Sequence, residues 1–304
     1  MSMRPSFKST LPSVVIVVLI ATWLTTSAIA QQLPTGSPSH PTTTSPSPTG
    51  PFAQFRECPL TTPNVYDCLV GAVSGGQLTF GKITVPIDHT FTLQGGLARE
   101  PETETETLVP AVDGNTLSPT PLEVPGGLLH MLGFHSSNVP LRGPLARWSR
   151  ALNGVTATLE LVGTVQVSIL NLLFEEGPLL VLPARLRFRN PLLGSQCYIG
   201  SAAEPVTLSL TVGTTNPPPP NQPIKGTVGQ LEFEQEGSIL TLAGSALVNN
   251  EFAAPKVHGC GLFGQLDGPL NHGIGLPSPA GSNTAIVDTN VTLAAAAAVL
   301  KSEQ

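Results

Sequence analysis

The side chains best suited to chemistry crowd into one glycine-rich stretch, "VHGCGLFGQLDGPLNHGIGLPSPAGSN" at 257–283, which holds His258, Asp267, His272, Ser278 and Asn283. Ser278, His272 and Asp267 are the three residue types of an acyl-transfer triad. In such a triad an imidazole takes the serine proton and a carboxylate orients the ring. Spatial roles define a triad and spacing does not, so the competing reading is an irregular loop folded over a sheet. Cys260, in the same stretch, and Cys197, in "RNPLLGSQCYIG", open further chemistries. With His258 or His272 they supply zinc-ligand types, but the C-x₂₋₄-C spacing of structural sites is absent. Cys197 as a thiolate with a histidine base would be a nucleophile. The remaining reading makes the two cysteines a staple.

Compartment decides among these. The chain opens "MSMRPSFKSTLPSVVIVVLIATWLTTSAIAQQ", with Arg4 and Lys8 before an apolar run and an Ala-x-Ala site ending at Ala30. This is the pattern of a secretory signal peptide over 1–30. The apolar run is about 14 residues, short of the roughly 20 a spanning helix needs, so no transmembrane span is expected after cleavage. "VTLAAAAAVL" at 291–300 has the length of a buried core segment rather than a span. In an exported chain four cysteines imply two disulfides. The expectation is Cys58 with Cys68, across the proline turn of "ECPLTTPNVYDC", and Cys197 with Cys260.

Residues 31–51, almost all Pro, Ser, Thr and Gly, bury too little apolar surface to offset chain entropy and read as a disordered linker. Residues 52–304 then form a single domain. The chain has 14 basic and 20 acidic residues, and losing Arg4 and Lys8 with the signal makes the balance more acidic. A nucleic-acid partner needs the opposite sign. No cofactor or metal is expected: H-E-x-x-H, G-x-S-x-G, Walker and dinucleotide motifs are absent. His130 and His135 are five apart, off the spacing that aligns two ligands on a helix. Trp148, Tyr66 and Tyr198 are too few aromatics for a sugar-stacking platform.

In "PARLRFRN", Arg185, Arg187 and Arg189 alternate with apolar residues, which puts the guanidinium groups on one strand face. They are read either as an anion site or as a solvated face paired with acids such as Glu232 and Glu234, the second reading being preferred. "ETETET" at 102–107 reads as a solvated edge or loop, and "NPPPPNQP" at 216–223 as a solvated polyproline turn.

Positioning these groups falls to strands. "VTLSLTVG" alternates strictly, and "GQLTFGKITVPI", "GVTATLELVG", "GTVQVSIL" and "GSILTLAGSALV" are β-rich runs bounded by glycine or proline. With 30 Gly and 31 Pro, helices are confined to short pieces such as 144–152, "PLARWSRAL". The expected fold class is all-β: an antiparallel sandwich or barrel with irregular Gly/Pro-rich loops and two disulfides.

The blocks "RNPLLGSQCYIGS", "NNEFAAPKVHGCG" and "GLPSPAGSN", together with "FRECP" and "GKITVPIDHTFTLQGG", resemble those of uncharacterised secreted proteins of actinobacteria. The resemblance spans nearly the whole mature region. It implies export and carries over no functional residue. The expectation is therefore a secreted, extracytoplasmic protein with a non-catalytic binding or structural role towards an unknown component of the cell envelope. A secreted hydrolase using the 258–283 loop is the alternative.

Overall fold

A computed structural model describes residues 47–99, 106–134 and 151–303. The signal segment and most of the expected linker lie outside these residues. So do His135 and the expected helix at 144–152, apart from its end, where 151–153 are helical. Ordered contacts with the β-rich body begin before residue 52. Pro48 is buried, the Thr49 hydroxyl donates to the Ser302 carbonyl at 2.8 Å, and a 3₁₀ turn runs over Gly50–Phe55.

Among the described residues fourteen strands form one antiparallel sheet. In chain order they are β1 (Val65–Phe80), β2 (Ile83–Pro86), β3 (Phe91–Arg99), β4 (Glu106–Pro110), β5 (Leu122–Glu123), β6 (Thr156–Leu161), β7 (Val165–Val167), β8 (Leu180–Asn190), β9 (Gly194–Ile199), β10 (Val206–Leu210), β11 (Gln230–Glu234), β12 (Ile239–Asn249), β13 (Val257–His258) and β14 (Thr284–Ala295). Among the described residues, besides the helical end at 151–153, short helices punctuate them: α1 (Gly127–Met131), α2 (Ile169–Phe174), α3 (Asp267–Ile274) and α4 (Ala296–Lys301). The β-rich runs read from the sequence all contribute strands. "VTLSLTVG", for example, becomes β10, with Val206, Leu208 and Leu210 buried and Thr207 exposed.

By its ladders the sheet is open, ending at β11 and β5. It curls until its flanks meet. β1 pairs β3, β3 pairs β4, β4 pairs β7, β7 pairs β8 and β8 pairs β10. On the other flank β12 pairs β14 and β14 pairs β1. An isolated bridge, Thr211 to Val248, with N–H···O distances of 3.0 and 2.9 Å, joins the end of β10 to β12. Eight strands, β1, β3, β4, β7, β8, β10, β12 and β14, thus follow one another around a ring in chain order. This is the barrel alternative of the expected fold class. A meander of this size has an interior that side chains fill or that holds one small ligand.

Period-two alternation sends apolar side chains inward and polar ones outward. On β8, Leu182, Ala184, Leu186 and Phe188 are buried, while Arg185, Arg187 and Arg189 face out. A transmembrane barrel has the reverse arrangement, with apolar side chains outward. Among the described residues no helix is long and apolar enough to cross a membrane.

One end of the ring, beyond the β1–β2 turn, is filled by α3, whose Leu270 and Ile274 are fully buried and whose Ile274 carbonyl accepts from Lys82 N–H at 2.7 Å. α3 lies against the end of α1 so closely that a Cβ at Gly273 would collide with the Met131 carbonyl oxygen, so glycine is required there. A satellite core of Phe55, Cys58, Cys68, Ile239 and Val299 covers the outside of β1, β12 and β14 under α4, and absorbs the alanine run.

Both expected disulfides are present, Cys58–Cys68 and Cys197–Cys260, with Cα separations of 5.6 and 4.2 Å. They span 10 and 63 residues. In the chain-entropy account the longer loop contributes about 4 kcal/mol and the shorter about 3 kcal/mol. We expect Cys197→Ser/Cys260→Ser to lower the free energy of unfolding in denaturant by about 4 kcal/mol, more than Cys58→Ser/Cys68→Ser. The reverse order of losses would contradict this placement of the staples.

Candidate functional site

The 257–283 stretch is a structural stopper rather than a triad. Asp267 stands at the start of α3 with both carboxylate oxygens engaged, accepting from Gly259 N–H at 3.1 Å and Cys260 N–H at 2.7 Å. His272, further along α3, is exposed. Ser278 is buried, and its hydroxyl donates to Asn283 Oδ1 at 2.6 Å. Asp267 and Ser278 are thus each engaged elsewhere, His272 faces solvent, and no hydrogen bond joins the three. Cys197 and Cys260 are consumed by their disulfide, which removes both the zinc set with His258 or His272 and the nucleophilic thiol. His258 sits against Tyr198, its Nδ1 3.1 Å from the Tyr198 carbonyl oxygen.

Asn283 is the hub of this stopper. Fully buried, it accepts from Gly81 N–H at 3.0 Å as well as from Ser278, and its amide nitrogen donates to the carbonyls of Phe252 at 2.8 Å and Pro279 at 3.2 Å. Each buried group left without a partner costs roughly 1–3 kcal/mol.

The arginine stripe is a paired outer face, but its acid is Glu160 on β6 and not Glu232 or Glu234. The ladder places Glu160 directly opposite Arg185. Its carboxylate accepts from Arg185 at 2.7 and 2.9 Å and from Arg187 at 3.2 Å. Arg187 also donates to the Ser195 carbonyl at 3.0 Å, and both guanidinium groups lie over the Tyr198 ring, at 4.2 and 5.7 Å. Arg189, at the exposed end opposite Thr156, extends the row. Glu232 and Glu234 are exposed on β11, hydrogen-bonded to β12.

"ETETET" departs further from expectation. Glu106, its described end, is buried rather than solvated. Arg99 donates to it at 2.8 Å and the Ile169 N–H at 3.2 Å. Burial alone would raise its pKa, but hydrogen bonds from Arg99, Tyr66 and the Ile169 backbone outweigh burial and hold it below the usual carboxylate range. Burial, and then the hydrogen bond to Glu106, push the neighbouring Tyr66 hydroxyl well above its ordinary value. Burial and the Glu106 charge raise Asp67. This cluster anchors the start of α2 to the ring.

The remaining site was not read from the sequence. It lies inside the ring, where a 70 Å³ cavity is lined by Leu69 and Val73 from β1, Leu93 from β3, Leu182 from β8, Leu208 from β10, Leu242 from β12 and their neighbours. Thr289 is the one polar side chain in the lining, and its hydroxyl is turned to the Ala72 carbonyl at 3.1 Å. Gly71 on β1 leaves part of the space: a Cβ there would meet Leu93 atoms no closer than 3.7 Å. At roughly 24 cal/mol per Å³ an empty cavity of this size costs about 1.7 kcal/mol. A space with such a lining excludes water, which needs two to four polar partners, and accepts hydrocarbon.

No protein-family model, curated protein or solved structure matches the chain.

Two outcomes test these assignments. Asn283→Ala should cost at least about 3 kcal/mol of unfolding free energy, because several buried groups lose their partner, whereas Ser278→Ala should cost about 1 kcal/mol. The acid cluster should show opposite signs. Glu106, with its folded pKa depressed, stabilises the fold above its unfolded pKa and loses that contribution as pH falls through the folded value. Asp67, with its pKa raised, favours the fold only when protonated, and that contribution is lost as pH rises through its folded value. Glu106→Gln should therefore destabilise the protein at pH 7 and Asp67→Asn stabilise it, both effects shrinking towards pH 2 in pH-dependent denaturant melts.

Proposed function

We propose that this is an exported, non-catalytic protein that holds a small apolar ligand inside its β-ring and delivers or stores it at the cell envelope. The carrying observation is the interior cavity, hydrocarbon-lined with its one hydroxyl already satisfied. Export is supported by the signal-like N-terminus, by two disulfides of the kind that form in oxidising compartments, and by the resemblance to secreted actinobacterial proteins. The outward row of Arg185, Arg187 and Arg189 is a second, weaker candidate surface for an envelope component, since Glu160 and Tyr198 already engage two of the three. Nothing in the geometry favours the hydrolase reading.

Gly71→Val tests the proposal without threatening the fold. The added methyl groups enter the cavity, and valine suits a strand better than glycine, so the free energy of unfolding should rise by about 1 kcal/mol. Protein recovered from the medium of producing cells should carry an apolar adduct in native mass spectrometry that an organic solvent extracts. Gly71→Val should lack the adduct and should not bind octanoic acid, which the unaltered protein does. An unaltered protein that carries no adduct and shows no octanoic acid binding by calorimetry would overturn the proposal.

A further inference from the structure

Building on the interior-ligand reading, we infer that the ligand is a single-chain acyl amphiphile whose tail fills the cavity and whose remaining methylenes lie on an apolar track formed by Leu240, Leu231 and Phe233 beside α2. The cavity volume argues for a linear chain. At 70 Å³ the space is less than half of the roughly 150 Å³ apolar cavity that takes up benzene, so it admits a few methylenes in file and no ring.

The apolar interior does not stop at the cavity. Leu242 lines it and is 2% exposed. Leu240 is next on the same face of β12, and the ladder sets Leu231 of β11 opposite Leu242 and Phe233 opposite Leu240. Residues directly opposite in an antiparallel pair share a face. β11 therefore continues the inner surface of the ring, with Gln230, Glu232 and Glu234 turned to the other side. Yet Leu231 is 50% and Phe233 65% exposed, so this strip of interior face faces solvent.

α2 stands at the same end of the ring. Its Ile169 lines the cavity while Leu170 and Phe174 are exposed, and Glu175, at the end of α2, pairs at 3.0 Å with Lys225 in the segment leading to β11. At the opposite end Leu270 and Ile274 of α3 fill the core under the Cys197–Cys260 staple, so the chain enters from the α2 and β11 side.

The test compares octanoic acid, whose tail outruns the cavity by only a few methylenes, with hexadecanoic acid, by calorimetry on the full chain and on Leu231→Gln/Phe233→Gln. Both residues are at least half exposed, and circular dichroism checks that the variant keeps its fold. Each methylene taken out of water strengthens binding about fourfold. Hexadecanoic acid should bind at least about thirtyfold tighter than octanoic acid to the unaltered protein. The double variant should lose about tenfold or more for hexadecanoic acid and no more than about fourfold for octanoic acid. Hexadecanoic acid that binds no tighter than octanoic acid, or equally well to the variant, would overturn the track and leave the interior site standing. Failure of both acids to bind would overturn both.

Discussion

Everything in this molecule depends on the last strand lying along the first. β14 pairs with β1 from Asp67 opposite Ala295 to Thr79 opposite Thr284, and this long ladder closes a meander whose other strands pair with near neighbours in the chain. Without it the sheet would present two free edges and an apolar face with nothing to pack on. With it, and with the short Thr211–Val248 bridge on the far flank, the inner faces of eight strands meet one another. Non-local pairing of this kind is costly in chain entropy and is repaid only when the ring is complete.

Closure also dictates what each loop is for. The 257–283 stretch is tied down by Cys197–Cys260, Asp267 and Asn283 because it must stopper one end of the ring. Asp267 and Asn283, which look suited to catalysis by type, prove to be backbone partners in space. At the other end the Glu106 cluster fastens α2, and a strip of the inner face stays uncovered. One end is sealed by hydrogen bonds and a covalent staple, the other is bordered by exposed hydrocarbon, and a dry cavity lies between them. That asymmetry is the basis for reading the ring as a container with a single entrance.

Much of this frame was legible in the residues. The alternation of Val206, Leu208 and Leu210 identifies a half-buried strand, and the expectation of export together with cysteine spacing points to both disulfides. What failed had a common cause. Alternation says which residues share a face, not which strand lies alongside, so the sequence suggests acids such as Glu232 and Glu234 for the arginine row where the register brings Glu160. Glu106 looks solvated in the sequence because its partners, Arg99 and the Ile169 N–H, come from another strand and a helix. The cavity was invisible for a deeper reason: it is a small difference between the volume of a closed ring and the side chains that fill it, and Gly71 gives no sign of facing inward until the ring exists.

The most direct test of a dry hydrocarbon container is electron density from crystals of the protein isolated, without refolding, from its producing cells. The account predicts elongated, unbranched density inside the ring beside Leu93, Leu208 and Leu242, running out past Leu240 towards Phe233, with no water within it. Ordered waters in the cavity, or side chains collapsed to fill it, would contradict the account.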